Sequence, residues 1–323
     1  MKELWIALTY VKGLGIKRIR KIYDEFPMLT LGDLRDEKTL DQIGKIIKNK
    51  RVVEVLSDYY YIKKQVEKAK ESKKFHEENG VQVITISDEG YPSLLHKIDD
   101  APIVLYGKGN IQLLEVQQSI AVVGTRKPTE MGKKMARRIA SHFAAKDYVI
   151  VSGLAIGIDT EAHIGALEAD GKTIAILAGG LESVFPKENA HLAEEILQKG
   201  GLLVSEYPLN SQMFRAAFVQ RDRIQSGISA AVCPVQTDIK GGTQHTISFA
   251  KAQNRFLFCP KPMEEVPATK GIMKLLEEGV FSLQNTEDME CIEEKIESKL
   301  RELLHVNKDE EQVIYESQLD LFH

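Results

Sequence analysis

Five short segments hold most of the residues in this 323-residue chain whose types and spacing suit chemistry. GTRK places Gly124, Thr125, Arg126 and Lys127 directly after the apolar run SIAVV. SGLAIGID places Ser152, Gly153 and Gly157 after YVIV, and AGGLESVFPKEN places Lys187 and Asn189 after TIAIL. QRDR supplies Arg221 and Arg223, and KGGT supplies Lys240, Gly241, Gly242 and Thr243. Glycine and hydroxyl residues that turn a chain into a helix leave backbone N–H groups open to an anion. Arg and Lys on several such turns would form one positive groove, suited to a sugar–phosphate backbone. A tight strand-to-helix turn explains any one of these glycines. The same chemistry repeated on five segments points to a ligand.

The same segments exclude several enzyme classes. AVVGTRKPTEMG is not GxGxxG, and the second apolar run ends in Ser152-Gly153 where a dinucleotide enzyme needs an acid further on, so NAD chemistry is not expected. Gly171-Lys172-Thr173 precedes an apolar run and lacks the P-loop glycine spacing, which makes it a turn. No HExxH or GxSxG occurs. His163 reads as a helix residue near the strand tips. Cys233, Cys259 and Cys291 have neither metal-ligand nor disulfide-framework spacing. The expectation is a binding protein of the reducing cytoplasm, without metal or cofactor.

The elements that must position these segments are legible from periodicity. SIAVVG, YVIVSG, TIAILAG, LLVSE, AAVCPV and RFLFCP are short, nearly continuous apolar runs, the pattern of strands buried on both faces of a parallel sheet. Helical spacing separates them, so residues 119–304 predict a doubly wound α/β domain. Residues 1–79 predict a helical domain. In it, RVVEVLSDYYYIKKQVEKAKESKKFHEENG reads as one long helix stopping at Asn79-Gly80. Residues 80–118 contain two short strands and read as a connector packing on the α/β domain. Residues 305–323 lose the pattern and read as a flexible tail.

Charge divides the chain the same way. Residues 1–80 hold 18 Lys/Arg against 13 Asp/Glu, and residues 263–323 hold 6 against 16. The basic front contains VKGLGIKRIRKI, a helix–hairpin–helix pattern. There Gly13 and Gly15 would turn the backbone while Lys17 and Arg18 open the second helix toward a phosphate, a contact that carries no sequence preference. A plain helical corner is the alternative. No apolar stretch reaches the ~18 residues that a membrane span needs.

GTRKPT, SGLAIGIDTEAH, GGLESVFPKEN, LLVSEYP and RDRI, with YPSLL…APIVLYGKG and LWIALTYVKGLGIKRIRKI before them, resemble in order and spacing the DprA/Smf family of bacterial DNA-processing proteins. The resemblance covers roughly residues 3–300. It implies a Rossmann-like fold, single-stranded DNA binding, a homodimer, and loading of a RecA-type recombinase during DNA uptake. It places the DNA-gripping Arg on Arg126 and the Lys on Lys187. The late apolar segments GIMKLL and VFSL are where the dimer contact is expected. The tail residues Gln318, Leu319, Asp320, Leu321 and Phe322 resemble the pentapeptide by which bacterial DNA-metabolism proteins bind the polymerase sliding clamp, carried on an acidic tether.

The chain departs from the family pattern in three places. FVQRDRI has Val219 for Pro and Asp222 for Asn, and Asp222 would set a negative charge near the groove. AAVCPVQTD lacks the usual strand-end acid, and KGGTQHT replaces a Ser-Gly-Ser/Thr turn. The winged-helix module that some members carry C-terminally has no counterpart in the 323 residues. The alternatives are a small-nucleotide-binding sensor or defence protein of the same Rossmann-like group, or an adaptor whose sheet binds nothing. Hydrolysis is disfavoured, because KGGTQHT lacks the second glycine and the Glu of the phosphoribohydrolase loop.

Overall fold

The computed structural model describes residues 2–304. α1 (Lys2–Thr9) and α2 (Ile16–Glu25) form a hairpin, followed by α3 (Glu37–Ile47), α4 (Lys50–Ser57) and α5 (Tyr59–Glu78). The single long helix expected across 51–80 is two helices. Asp58 leaves the helical region (φ −76°, ψ 88°), and its carboxylate accepts the Tyr61 N–H, capping α5. The apolar spacing runs on through this break, which is why periodicity did not reveal it. α5 ends at Glu78, and Gly80 takes φ +72°, as the Asn79-Gly80 stop signal predicts.

Next come β1 (Gln82–Thr85), α6 (Ser93–His96) and β2 (Val104–Gly109). The main fold continues with β3 (Ser119–Val123), α7 (Glu130–Ala144), β4 (Val149–Ser152), α8 (Ile158–Glu168), β5 (Thr173–Leu177), α9 (Ala190–Gln198) and β6 (Leu202–Ser205). α10 (Arg215–Ile228), β7 (Ala231–Pro234), α11 (Thr243–Ala252), β8 (Phe256–Pro260), α12 (Pro267–Glu277), β9 (Phe281–Leu283) and α13 (Glu287–Leu304) complete it. The nine strands form one sheet in the order β1-β2-β6-β5-β4-β3-β7-β8-β9. The expected connector is therefore an edge of the main sheet: β2 pairs antiparallel with both β1 and β6. From β6 through to β9 the neighbours are parallel. The chain winds from β3 to β6, then returns to β7 on the other side, so direction reverses between β3 and β7.

Both faces of the sheet are covered, and the alternation along β3 shows how. Ala121 and Val123 join a core with Trp5, Ile22, Leu105 and Ile176, while Ile120 and Val122 join another with Phe143, Ile150, Phe258 and Ile292. The first of these cores is continuous with the helical N-terminal region. GIMKLL, expected as a dimer contact, buries Ile272 and Leu275 against Ile247 and Cys259, and Leu283 of VFSL is buried too. Those apolar groups are spent inside the chain. Among the described residues no helix is long and apolar enough to cross a membrane.

Candidate nucleic-acid interface

The loops after β3, β4 and β5 are bonded to one another. In the first, the Thr125 N–H donates to the Gln236 carbonyl at 2.7 Å, and the Thr125 carbonyl accepts from Ile158 N–H at 3.2 Å. Gly157, at the start of α8, has φ +92°, and a Cβ there would stand 2.5 Å from the Thr125 carbonyl oxygen, so only glycine fits. The Ser152 hydroxyl donates to the Val122 carbonyl at 2.7 Å, and Gly153 N–H donates to the buried Asp159 carboxylate at 3.1 Å. The Asn189 amide closes the set, donating to the Leu154 carbonyl at 2.8 Å and the Thr160 hydroxyl at 2.9 Å. Ser152, Gly153, Gly157 and Asn189 thus brace the loops together. A braced loop gives up less entropy when it takes a ligand.

Arg221 and Arg223 require a correction. The sequence placed their charges on the groove surface, but both lie on α10 and are only 5% exposed. Arg221 Nη1 donates to the Ile176 carbonyl at 3.0 Å, Nε pairs with Asp222 at 3.2 Å, and the guanidinium fills the space a Gly153 Cβ would need. Arg223 pairs with Glu206 at 2.7 Å and Asp100 at 3.5 Å. Arg221 supports the loops from beneath, whereas Arg223 ties α10 to the end of β6 and to the segment before β2. Asp222 answers Arg221 at close range, so its negative charge is partly countered. Burial nevertheless pushes its carboxyl up to about 7; Arg221 opposes that rise and Asp159 adds to it. Burial raises Asp159 as well, again against Arg221.

His163 is sealed from solvent. Its Nδ1 lies 2.7 Å from the Thr173 hydroxyl, which itself donates to the Ile150 carbonyl, so Nδ1 carries the hydrogen. Burial, then Arg221, drives the imidazole pKa down to about 3. The ring is neutral and structural, as the sequence suggested.

The exposed cations of these loops are Arg126, Lys127 and Lys187. The Arg126 guanidinium lies 5.5 Å over the Phe218 ring, and Phe218 meets Phe185 edge-on at 5.8 Å. Phe185 is 51% exposed and stands two residues before Lys187, so this chain of contacts joins the first loop to the third. Phe214, packed on Tyr207 at 5.5 Å, and Met213 and Ile156 extend an exposed apolar rim. Sequence reasoning overlooked these aromatics. The available signal was a phenylalanine beside each basic segment, in VFPK and in MFRAAFVQR.

Lys240, Gly241 and Gly242 are exposed, and Thr243 is buried where α11 begins, all on the β7 side of β3. Gln236 fills the crevice toward them. Its Oε1 accepts the Thr129 N–H at 3.0 Å, its Nε2 donates to the Thr129 hydroxyl at 2.9 Å, and its side chain takes the space a Gly132 Cβ would need. The reversal point between β3 and β7 is where open α/β sheets receive a nucleotide. Here the start of α7 is filled by the chain's own amide, which disfavours the small-nucleotide alternative at that position.

In the N-terminal hairpin only Gly13 needs to be glycine, with φ +87°; Gly15 lies at φ −74° with open space around it. Lys17 is exposed. Arg18 folds back, donating to the Gly13 carbonyl at 2.8 Å.

A doubly wound sheet with a braced, basic, aromatic-rimmed set of strand-end loops and a filled nucleotide crevice defines a Rossmann-like α/β protein of unusual site design. The family model of DNA recombination-mediator protein A matches residues 82–293, and the chain belongs to that family. It is 37% identical over 214 residues, 66% of this chain and 72% of the relative, to the DNA processing protein DprA of Bacillus subtilis. The solved DprA of Streptococcus pneumoniae superposes with a TM-score of 0.73 at 28% identity, covering 90% of this chain and 97% of that one. A DNA processing protein A from Helicobacter pylori, described for its single-stranded DNA binding mode, superposes with a TM-score of 0.59 at 28% identity, covering 69% and 96%.

Proposed function

We propose that the strand-end loops bind single-stranded DNA. Arg126 and Lys187 take phosphates, the exposed Phe185 offers a face for a base, Phe218 seats the Arg126 guanidinium, and the braced loops beneath hold them in register. The observation that carries this reading is the Arg126–Phe218–Phe185 chain, which sets a cation and two aromatic rings in contact, with Lys187 two residues beyond Phe185. Sequence-tolerant single-strand binders combine a basic track with stacking rings in this way. The Helicobacter pylori relative described as binding single-stranded DNA supports it. In this reading the protein binds and hands on DNA and does no chemistry on it. Loading of a RecA-type recombinase, dimer formation, hairpin contacts through Lys17 and recruitment to the sliding clamp extend the proposal; family resemblance and sequence motif support them.

Salt-dependent binding of a short oligonucleotide tests the core of it. Arg126→Ala and Lys187→Ala should each weaken binding and flatten the salt slope by about 0.7 for every phosphate left without its cation, and the double change should nearly abolish binding. Equal affinity of the double variant and the parent at ~100 mM salt would defeat the reading.

A further inference from the structure

Asp222 sits where it can compete with DNA. It lies one helical turn beyond Phe218 on α10, so both project from the same side of that helix. Phe218 carries the Arg126 guanidinium on its ring, which brings an exposed phosphate-seeking cation and a nearly buried acid to neighbouring positions. The Asp222 side chain is 14% exposed and pairs with Arg221 at 3.2 Å. The charged groups facing it are Arg221 on its own helix, Asp159 on α8 and Arg126 on the first loop. Two acids and two arginines make a cluster of zero net charge when both acids are ionised. Adding one proton makes it positive, next to the surface assigned to phosphate.

The geometry points to Asp222 as a proton-linked regulator of the DNA site: the cradle takes up a proton at Asp222 as it takes up a phosphate, and releases DNA as that proton leaves. This inference rests on the single-stranded DNA reading above. A phosphate over Arg126 adds negative charge near Asp222 and favours its protonated form, and by linkage the protonated form favours the phosphate. Asp222 carries the protonic switch because burial already holds its carboxyl near neutrality. Burial raises Asp159 as well, against the Gly153 N–H that favours its charged form; Asp222 is the acid on the helix that carries Phe218, one turn away.

The test measures oligonucleotide affinity from pH 6 to pH 8 at constant salt for the wild type and Asp222→Asn. The wild type should lose about three- to tenfold more affinity across the window than Asp222→Asn, one linked proton allowing at most about tenfold per pH unit. Asp222→Asn should bind more tightly than the wild type at pH 8. A second measurement needs no variant: calorimetry of the wild type at pH 7 in buffers of different ionisation enthalpy should show net proton uptake on binding. Superimposed profiles, or proton release on binding, would overturn the inference while DNA binding sensitive to Arg126→Ala leaves the DNA reading standing. If the wild type binds no oligonucleotide at any pH, both fail.

Discussion

At the scale of single residues, the site is built from charges with unequal freedom. Arg126 and Lys187 are exposed on loops, whereas Arg221 is held by a backbone carbonyl and by Asp222. Asp222 has a consequence for stability that is separate from DNA. Its carboxyl titrates near 7 in the folded chain against an ordinary value of 3.8, so the folded state keeps a proton that the unfolded state releases. Stability contributed here is therefore present at low pH, lost progressively as pH rises from about 4 to 7, and fully lost above that. Asp222→Asn removes the penalty. It should raise stability by about 1–3 kcal/mol at pH 8 and leave it unchanged at pH 4. Thermal melts at the two pH values check this. An equal effect at both, or a less stable variant at pH 8, would show that pairing with Arg221 outweighs burial.

At the scale of elements, α10 is the strut of the site, delivering Phe218, Arg221, Asp222 and Arg223 from one helix. Its seat is Arg255, which donates through Nε to the Ser226 carbonyl at 3.0 Å and through Nη2 to the Gly227 carbonyl at 2.9 Å, both at the C-terminal end of α10. The same Nη2 reaches the Leu94 carbonyl on α6 at 2.8 Å. Burial lowers this guanidinium pKa to about 10; its bonds are to helix-end carbonyls, which favour a cation. Arg255→Met should cost about 2 kcal/mol by taking the side-chain donor from three buried carbonyls, of which Ser226 and Leu94 keep the Ser229 and Lys97 N–H groups, with oligonucleotide affinity kept well below the melting temperature. Denaturant midpoints and a binding assay on the same sample separate the two effects. Such pins are invisible in a sequence, because Arg255 and Leu94 are far apart along it. The strands were legible, since runs such as VIV and IAIL are buried on both faces and carry no competing signal. The loops with Arg126 and Lys187 were legible as strand ends. The burial of Arg221 and Arg223 was not, because their partners Ile176, Glu206 and Asp100 are brought to them only by the fold. Phe185 and Phe218 were missed for a related reason: a phenylalanine in an apolar stretch reads as core until its exposure is known.

At the scale of the whole molecule, the proposed self-association and recruitment would decide how the site is used. The apolar groups of α12 are used internally, so a dimer through the late part of the chain would draw on the edge strand β9, whose three residues pair with β8 alone among the described residues; β1 is the sheet's other edge. Light scattering should give twice the 36.3 kDa chain mass, and a monomer mass at every concentration would refute the dimer. Recruitment concerns Gln318, Leu319, Asp320, Leu321 and Phe322, which lie outside the described residues. All five positions match the clamp-binding pattern: Leu321 and Phe322 are suited to an apolar pocket and Gln318 to a hydrogen bond at its rim, a division in which few side chains carry most of the energy. α13 ends at Leu304, and residues 305–317 can span up to about 45 Å when extended. That length would let the motif engage a ring on DNA while the strand-end loops hold a separate strand. Deleting residues 318–323 should abolish binding to the sliding clamp and leave oligonucleotide affinity and melting temperature unchanged. A truncated chain that melts several degrees lower, together with no clamp interaction from the full chain, would assign those residues to the protein's own core and remove the clamp from the proposal.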